Sequence, residues 1–319
     1  MAVPHCIDVH EHIVPAAYRQ ALADSGSSAR DRFPVPAWDP QRNLEHLEVL
    51  GIATAFLSLS SPDVRCETDR ETSALYRAIN EEGAGIVRDR PERFGYFAAL
   101  PLPDVEAAIQ EATYVYEELG VDGIRLTTNT EGLYLGDGLL EPLFERLNDY
   151  GAVIFIHPCK PSAVPDTVLT DYPVPMLEFM FDTARAVTNL VLGGVVARCP
   201  RVRFIVPHMG GVLPILIPRI HSLVDIFRKP EGRPDVLGGF RSLYYDSAGP
   251  SFPQTLLPLL NLTDDTHLLF GSDWPHMPTD QGAAAQDTIA NIDQITEAQK
   301  RGLFHDNALS LFPRLIQAK

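Results

Sequence analysis

The sequence is short of cysteine, aromatic residues and positive charge, and these shortages exclude several classes of protein. Its 319 residues include 4 cysteines and 8% aromatic residues, with 26 Lys and Arg against 42 Asp and Glu, a formal net charge of −16. That charge disfavours a nucleic-acid backbone or an anionic membrane surface as the main partner. A small anionic substrate stays compatible with it, since a local cationic site can act against the global charge.

Two further absences concern location. The first ten residues contain neither the basic nor the apolar segment that opens a secretory signal, and no run approaches the ~20 apolar residues of a membrane span. The four cysteines, Cys6, Cys66, Cys159 and Cys199, form no CxxC pair, so we interpret them as reduced thiols, mostly in packing positions. We expect a soluble cytoplasmic protein with no membrane or nucleic-acid partner.

Short apolar runs alternate along the chain with longer amphipathic stretches. The runs have the length of buried parallel strands and lie at 7–9, 53–59, 94–100, 123–126, 152–156, 202–206, 242–246 and 267–270. The helical stretches lie at 43–50, 72–90, 104–119, 140–150 and 176–197. Eight strands alternating with helices over roughly 250–300 residues predict a (β/α)8 TIM barrel, with a doubly wound sheet as the alternative. We expect one domain over 1–319, with loop insertions at 33–40 and 159–175 and a surface loop at 229–239.

The first predicted strand runs into a pair of histidines. His10 and His12 stand at positions i and i+2, so an extended chain points both to the same side. Two neutral imidazoles suit Zn²⁺ and also fit Mn²⁺ or Fe²⁺. An HxH pair is weak evidence by itself, because such pairs arise readily by chance.

Three more predicted strands end in residues that bind metals or move protons. His157 follows the fifth strand, His208 follows the sixth before Met-Gly-Gly, and Asp273 follows the eighth. Taken singly, each has an ordinary explanation as a core histidine or a helix-capping carboxylate. Reactive residues of such barrels lie at the carboxyl ends of the strands, so together these residues predict one metal site. His208 is a candidate general acid or base, or a further ligand.

These motifs resemble the amidohydrolase superfamily over nearly the whole chain, from 8–12 to 271–275. Within it they are similar to the decarboxylase branch that contains aminocarboxymuconate-semialdehyde, γ-resorcylate and 6-methylsalicylate decarboxylases. The markers of the branch are the stretches 156–158, 207–211 and 269–275. The stretches most similar to the 6-methylsalicylate decarboxylase group are 121–124, 135–137 and 244–248.

The resemblance implies a site that holds one divalent metal, Zn²⁺ in preference to Mn²⁺. Its four ligands would be His10, His12, His157 and Asp273. The fourth strand offers no lysine of the kind that bridges two metals in binuclear members, which favours a single ion. The resemblance also implies a homodimer in which Arg219, eleven positions beyond His208, reaches the neighbouring site. A surface arginine on a helix is the alternative for Arg219.

The implied reaction is nonoxidative decarboxylation of a 2-hydroxybenzoate. 6-Methylsalicylate, which would give 3-methylphenol and CO2, leads over γ-resorcylate and aminocarboxymuconate semialdehyde. Asp273 would deliver a proton to the ring with His208 orienting or relaying it, or the two roles would be reversed. Arg219, His208 and Trp274 would bind the substrate, Trp274 as an apolar wall. The rivals are a metal-dependent lactone or amide hydrolase on the same barrel and a non-catalytic ligand-binding protein.

Overall fold

The computed structural model describes residues 5–25, 35–164, 167–168, 171–227, 234–249 and 254–317. Eight strands of this part form one parallel sheet: β1 (Cys6–Ile13), β2 (Ile52–Leu59), β3 (Phe94–Ala99), β4 (Gly123–Thr127), β7 (Val153–His157), β8 (Arg203–Val206), β9 (Tyr244–Asp246) and β10 (Leu268–Leu269). A short antiparallel hairpin follows β4 and consists of β5 (Asn129–Thr130) and β6 (Leu133–Tyr134).

The sheet closes into a barrel where the last strand meets the first. Asp8 bridges Phe270 and Glu11 bridges Trp274, both in parallel register. The amide of Val9 donates to the carbonyl of Phe270 at 2.9 Å. The predicted (β/α)8 barrel is therefore confirmed, and a doubly wound sheet is excluded.

Helices connect the strands on the outside of the barrel. The described α-helices are α1 (Ala16–Ser25), α2 (Pro40–Leu50), α3 (Asp69–Asp89), α4 (Val105–Tyr114), α5 (Glu141–Tyr150), α6 (Glu178–Leu192), α7 (Val195–Arg198), α8 (Leu213–Phe227), α9 (Val236–Arg241), α10 (Leu256–Leu260), α11 (Thr279–Asn291), α12 (Glu297–Arg301), α13 (Asn307–Leu311) and α14 (Arg314–Gln317). Single turns of 3₁₀-helix span Gly138–Leu140, Val174–Met176, His208–Gly210 and Asp265–His267, and π-helical turns span Val115–Leu119 and Gly302–Asp306.

Local sequence signals set several helix ends. Asp39 accepts a hydrogen bond from the amide of Arg42 before α2, and Gly51 ends that helix in the left-handed region with φ of 68°. Thr68 and Glu71 form a reciprocal capping box at the start of α3. Such caps satisfy backbone groups that a helix terminus leaves unpaired. They fix where the strand-to-helix loops of the barrel begin and end.

The C-terminal segment packs against the barrel end opposite the carboxyl ends of the strands. Phe312 stacks on Phe56 with ring centroids 3.9 Å apart, and both belong to a buried cluster inside the barrel. The Arg314 guanidinium pairs with Asp122, just before β4. This segment closes one end of the barrel, which leaves the opposite end to carry the site.

The predicted insertions are only partly described, since residues 33–34, 165–166, 169–170 and 229–233 lie outside the described ranges. Within those ranges, no helix combines the length and the apolar character needed to cross a bilayer.

Candidate metal centre

Four predicted ligands meet at the carboxyl ends of the barrel strands. His10 and His12 project from β1, His157 is the last residue of β7, and Asp273 follows β10. One potential ligand atom from each residue lies within 4.8 Å of the corresponding atoms of the others. The structure thus brings together side chains that are up to 263 positions apart in the sequence, counted as 273 − 10.

Asp273 lies between two of the histidines. Its Oδ1 atom is 3.2 Å from Nε2 of His12 and 3.4 Å from Nε2 of His10. Its amide donates to the carbonyl of His10 at 2.9 Å, which fixes the loop after β10 to β1. Nε2 of His10 is buried and has no hydrogen-bond partner within the described ranges. Nitrogen and oxygen donors therefore converge as the ligands of one ion would.

The other ring nitrogen of each histidine is held by a neighbouring group. These Nδ1 contacts join His10 to Asp246 (3.0 Å), His12 to Ser58 (3.1 Å) and His157 to the carbonyl of Pro158 (2.8 Å). A histidine that uses Nδ1 in this way keeps the lone pair of Nε2 for a metal. Three nitrogens and one carboxylate oxygen are a donor set that Zn²⁺ and Mn²⁺ accept.

The electrostatics of the cluster favour a positive charge at its centre. Burial lowers the pKa of His10, but Asp246 and Asp273 outweigh burial and raise it to about 10. Burial lowers the pKa of His12 to about 3, so this ring is neutral, the form that binds metals. Burial raises the pKa of Asp273, but hydrogen bonds from neighbouring histidines hold it well below its usual range.

His208 lies beside the four clustered residues. Its Nε2 atom is 3.9 Å from Oδ2 of Asp273, and its backbone amide donates to Oδ1 of Asp246 at 3.0 Å. His208 and Asp273 have φ values of 56° and 61°, a region that residues other than glycine adopt rarely and mostly where the surroundings enforce it. The loops after β8 and β10 thus hold these two side chains in unusual but defined positions.

A cavity of about 390 Å³ opens next to the cluster. Its lining includes the ionisable side chains of His157, His208, Asp273 and His276. It also includes the apolar side chains of Met176, Phe179, Met180 and Met277. The size and this combination of ionisable and apolar side chains suit a small organic ring that carries polar groups.

Sequence reasoning missed two polar residues of this region. Asp246 contacts both His10 and His208, and its signal was available, because it is the last residue of a predicted strand. His276 lines the cavity and bonds through Nε2 to Oγ of Ser60 at 2.8 Å. No spacing in the sequence indicated that a residue three positions beyond Asp273 would return to the cavity.

Two predicted substrate-binding residues do not line the cavity of their own chain. Trp274 is buried and stacks on His46 at 5.1 Å, and it does not line the cavity. Methionines and Phe179 supply apolar side chains to the cavity lining instead. Arg219 is exposed on α8 and also lies outside the cavity lining, so within one chain it does not reach the cluster.

The chain is similar to known proteins both in sequence and in structure. The sequence profile of the family described as Amidohydrolase matches residues 7–314. A 6-methylsalicylic acid decarboxylase of Penicillium expansum is 33% identical over 97% of this chain and 96% of its own. A solved structure described as amidohydrolase II has a TM-score of 0.91 at 33% identity and covers 96% of this chain and 99% of that one. A 2,6-dihydroxybenzoate decarboxylase solved with 2,6-dihydroxybenzoate has a TM-score of 0.79 at 25% identity, covering 98% and 100%.

Proposed function

This chain belongs to the amidohydrolase family and is a carbon–carbon lyase of its decarboxylase branch, and from that premise we propose that it converts 6-methylsalicylate to 3-methylphenol and CO2. It is a metal-dependent decarboxylase of hydroxybenzoate-type acids, and the proposal concerns which acid it takes. The observation that carries this choice is the cavity, whose lining combines a few ionisable groups with several apolar side chains.

The mixed lining of the cavity suits the polar and apolar groups of the proposed substrate. 6-Methylsalicylate carries its carboxylate and phenolic oxygen on adjacent ring carbons and its methyl group on the far side of the carboxylate. Met176, Phe179 and Met180 offer the methyl group and ring an apolar surface. A second hydroxyl group against that surface would lose its hydrogen bonds to water without finding new ones.

We propose one divalent ion at the centre, Zn²⁺ in preference to Mn²⁺. Its ligands would be His10, His12, His157 and Asp273. The unpaired Nε2 of His10 and the engaged Nδ1 atoms of all three histidines support this fit. When bound, the ion supplies positive charge that anchors the carboxylate and phenolic oxygens and stabilises the phenolate. The fourth strand carries Arg125 and no lysine, which supports one ion rather than a bridged pair at this centre.

Asp273 and His208 are proposed to handle the proton. Protonation of the ring carbon that bears the carboxylate interrupts aromaticity, and breaking the bond to CO2 returns the electron pair to the ring. Asp273 lines the cavity, and His208 is 3.9 Å from its Oδ2 atom. Asp273 is a carboxylate at rest, so it would first take the proton of the substrate's phenolic group and then pass that proton to the ring carbon. We assign this delivery to Asp273 and orientation or relay of the proton to His208, with the reverse assignment as the alternative.

We further propose that the chain forms one domain over 1–319 and assembles as a homodimer. Helix α8 exposes Ile215 to 70%, Ile226 to 69% and Phe227 to 79%, an apolar surface of the kind that marks protein contacts. Arg219 lies on the same helix and is exposed. Across a dimer contact it would pair with the substrate carboxylate in the neighbouring site, where two parallel hydrogen bonds are available.

A comparison of substrates tests the proposed function. Values of kcat/KM are measured for 6-methylsalicylate, salicylate, γ-resorcylate and aminocarboxymuconate semialdehyde, with hydrolysis of simple lactones alongside. We expect 6-methylsalicylate to exceed γ-resorcylate by about tenfold or more, because one methyl group in an apolar pocket is worth that much discrimination. A preference for γ-resorcylate, or faster hydrolysis of a lactone, would overturn the assignment.

A further inference from the structure

A second group of potential ligands lies beside β1, apart from the centre just described. It consists of Asp8, Glu11 and His46, which we call the β1–α2 cluster because its members lie on those two elements. The three side chains are buried, at 0%, 0% and 2% exposure. One potential ligand atom from each lies within 4.8 Å of the corresponding atoms of the other two.

Each member of the β1–α2 cluster has a buried atom without a hydrogen-bond partner in the described structure. These atoms are Oδ2 of Asp8, Oε1 of Glu11 and Nε2 of His46. Buried polar atoms are nearly always paired, so an unpaired atom on each of three neighbouring side chains points to a ligand that they share. Neither carboxylate forms an ion pair with a lysine or arginine of the described residues. Glu11 does lie close to the ring of His46, which carries a charge only when it is protonated.

The remaining polar atoms of the cluster are fixed by neighbours. Oδ1 of Asp8 accepts from the amides of His10 (2.9 Å) and Ser272 (3.2 Å). Oε2 of Glu11 accepts from the Asn43 amide group at 2.6 Å.

His46 is fixed in the same way. Its Nδ1 atom bonds to Oγ1 of Thr279 at 3.0 Å, and its ring stacks on Trp274. Each member of the cluster therefore has one end held and the other free, as ligands of protein metal sites do.

The donor types and the spacing fit a divalent cation. Two carboxylate oxygens and one imidazole nitrogen suit zinc, manganese or ferrous iron. Two ligands about 2.1 Å from a common ion at a tetrahedral angle lie roughly 3.4 Å apart. The distance from Nε2 of His46 to Oε1 of Glu11 is 3.6 Å. Two buried carboxylates without a lysine or arginine partner are costly to maintain, and a cation between them reduces that cost.

We propose that Asp8, Glu11 and His46 form a second cation site, which takes a divalent ion of the zinc or manganese class. Because the cluster is buried, the ion enters as the chain folds and stabilises the folded state. It ties α2 to β1, the strand that presents His10 and His12. The second ion therefore has a structural role, and the chemistry of decarboxylation does not depend on the proposal.

Counting the metal bound to the purified full-length protein tests the proposal. Native protein saturated with zinc and then freed of loose metal should hold two ions per chain by elemental analysis. His46→Gln should hold one, His157→Ala should hold one, and the double variant none. His267→Gln, which changes a histidine outside both clusters, should keep two. One ion in native protein that His46→Gln retains and His157→Ala loses would overturn the proposal.

A second measurement decides the matter without any variant. Crystals of the native protein grown with zinc should give two anomalous difference peaks, one of them between the free atoms of the β1–α2 cluster. A peak at the His10 centre alone would overturn the proposal, and would leave Asp8 and Glu11 to share a proton or a water molecule. Both readouts are independent of turnover, so failure of the proposed reaction would not be mistaken for failure of this site.

Discussion

At the scale of single residues, Asp246 joins the metal centre to the neighbouring His208. Oδ2 of Asp246 is 3.0 Å from Nδ1 of His10, and Oδ1 accepts from the amides of His208 and Ala248 at 3.0 Å. One carboxylate thus orients a candidate ligand and holds the loop that carries the candidate proton-transfer group. Both functions require an acceptor at each oxygen.

Asp246→Asn should weaken metal binding while the fold persists. The amide oxygen can keep the two backbone hydrogen bonds, which turns the NH2 group toward His10 and removes the acceptor for Nδ1. The proton of His10 then moves to Nε2, and metal affinity should fall by about 10–100-fold. Titration of metal-free protein with zinc against a competing chelator measures the change. Asp264→Asn, at an exposed cap, should bind like the native protein, and equal affinity in both variants would contradict the assigned role.

His208→Asn should separate metal binding from turnover. Because His208 lies beside the four proposed ligands rather than among them, the variant should keep its metal but lose about 10²–10⁴-fold in kcat, the range for a lost proton-transfer group. His12→Asn should lose both. Elemental analysis and CO2 release are measured on the same samples. Native turnover in His208→Asn would reduce this residue to a packing role.

The strand-end rule was enough to predict from the sequence which four side chains lie together. His157 ends β7, Asp273 follows β10, and the His10–His12 pair lies in the carboxyl-terminal half of β1. The methionines that line the cavity could not be predicted, because Met176, Met180 and Met277 come from separate loops and helices. Their convergence depends on tertiary contacts rather than on any local spacing. The same limitation led to Trp274 being expected at the cavity, which it does not line.

At the scale of elements, the contact between β1 and the segment after β10 requires a residue without a side chain. A Cβ atom at Gly271 would lie 2.7 Å from Cβ of His10 and 3.2 Å from Cβ of Ala248. Neither neighbour is the far end of a flexible chain, so the two segments would have to move apart. The position of His10 therefore depends on glycine at this point.

Gly271→Ala should destabilise the protein by about 1–3 kcal/mol, the usual cost of an extra methyl group in a packed interior. It should also lower metal affinity, since His10 must shift. Urea unfolding measures the first effect and zinc titration the second. Gly138→Ala serves as the control, because a Cβ there meets no atom within 4 Å. An unchanged unfolding midpoint in Gly271→Ala would contradict the close contact.

The eight barrel strands could be predicted because each is a short apolar run. One helix was predicted wrongly, since the stretch 176–197 divides into α6 and α7. The break follows Leu192, and Gly194 adopts a left-handed conformation with φ of 79°. Two adjacent glycines were a visible signal, but the apolar character of the surrounding residues outweighed it. The hairpin of β5 and β6 was not predicted, because its strands have two residues each and carry no periodic pattern.

At the scale of the whole molecule, the proposed dimer relates an exposed helix to the site. Phe227→Asp places a charge on the exposed apolar surface of α8 and should convert the dimer to a monomer in light-scattering measurements. kcat/KM should fall with it, because Arg219 would no longer reach the neighbouring site.

Arg219→Ala is the companion variant. It should remain dimeric and lose roughly 10–100-fold in kcat/KM, the effect of about 1.5–3 kcal/mol from a hydrogen bond to a charged group. A native monomer, or native kinetics in Arg219→Ala, would contradict the proposed arrangement.

The net charge of −16 makes local positive charge at the site important for substrate binding. An acidic protein that binds an anionic substrate needs concentrated positive charge where the carboxylate sits. In the proposed site a divalent ion and Arg219 supply it. Changes to distant surface charges should therefore matter far less to substrate binding than loss of either group, because water and salt screen exposed charges over about 10 Å.

Metal-dependent decarboxylation at the His10 centre can be measured through its two products. CO2 and 3-methylphenol are quantified from 6-methylsalicylate with metal-loaded protein, with metal-stripped protein and with Asp273→Ala. We expect one CO2 and one 3-methylphenol per substrate consumed by the loaded native protein, and background rates in the other two samples. Full turnover by metal-free Asp273→Ala would contradict it.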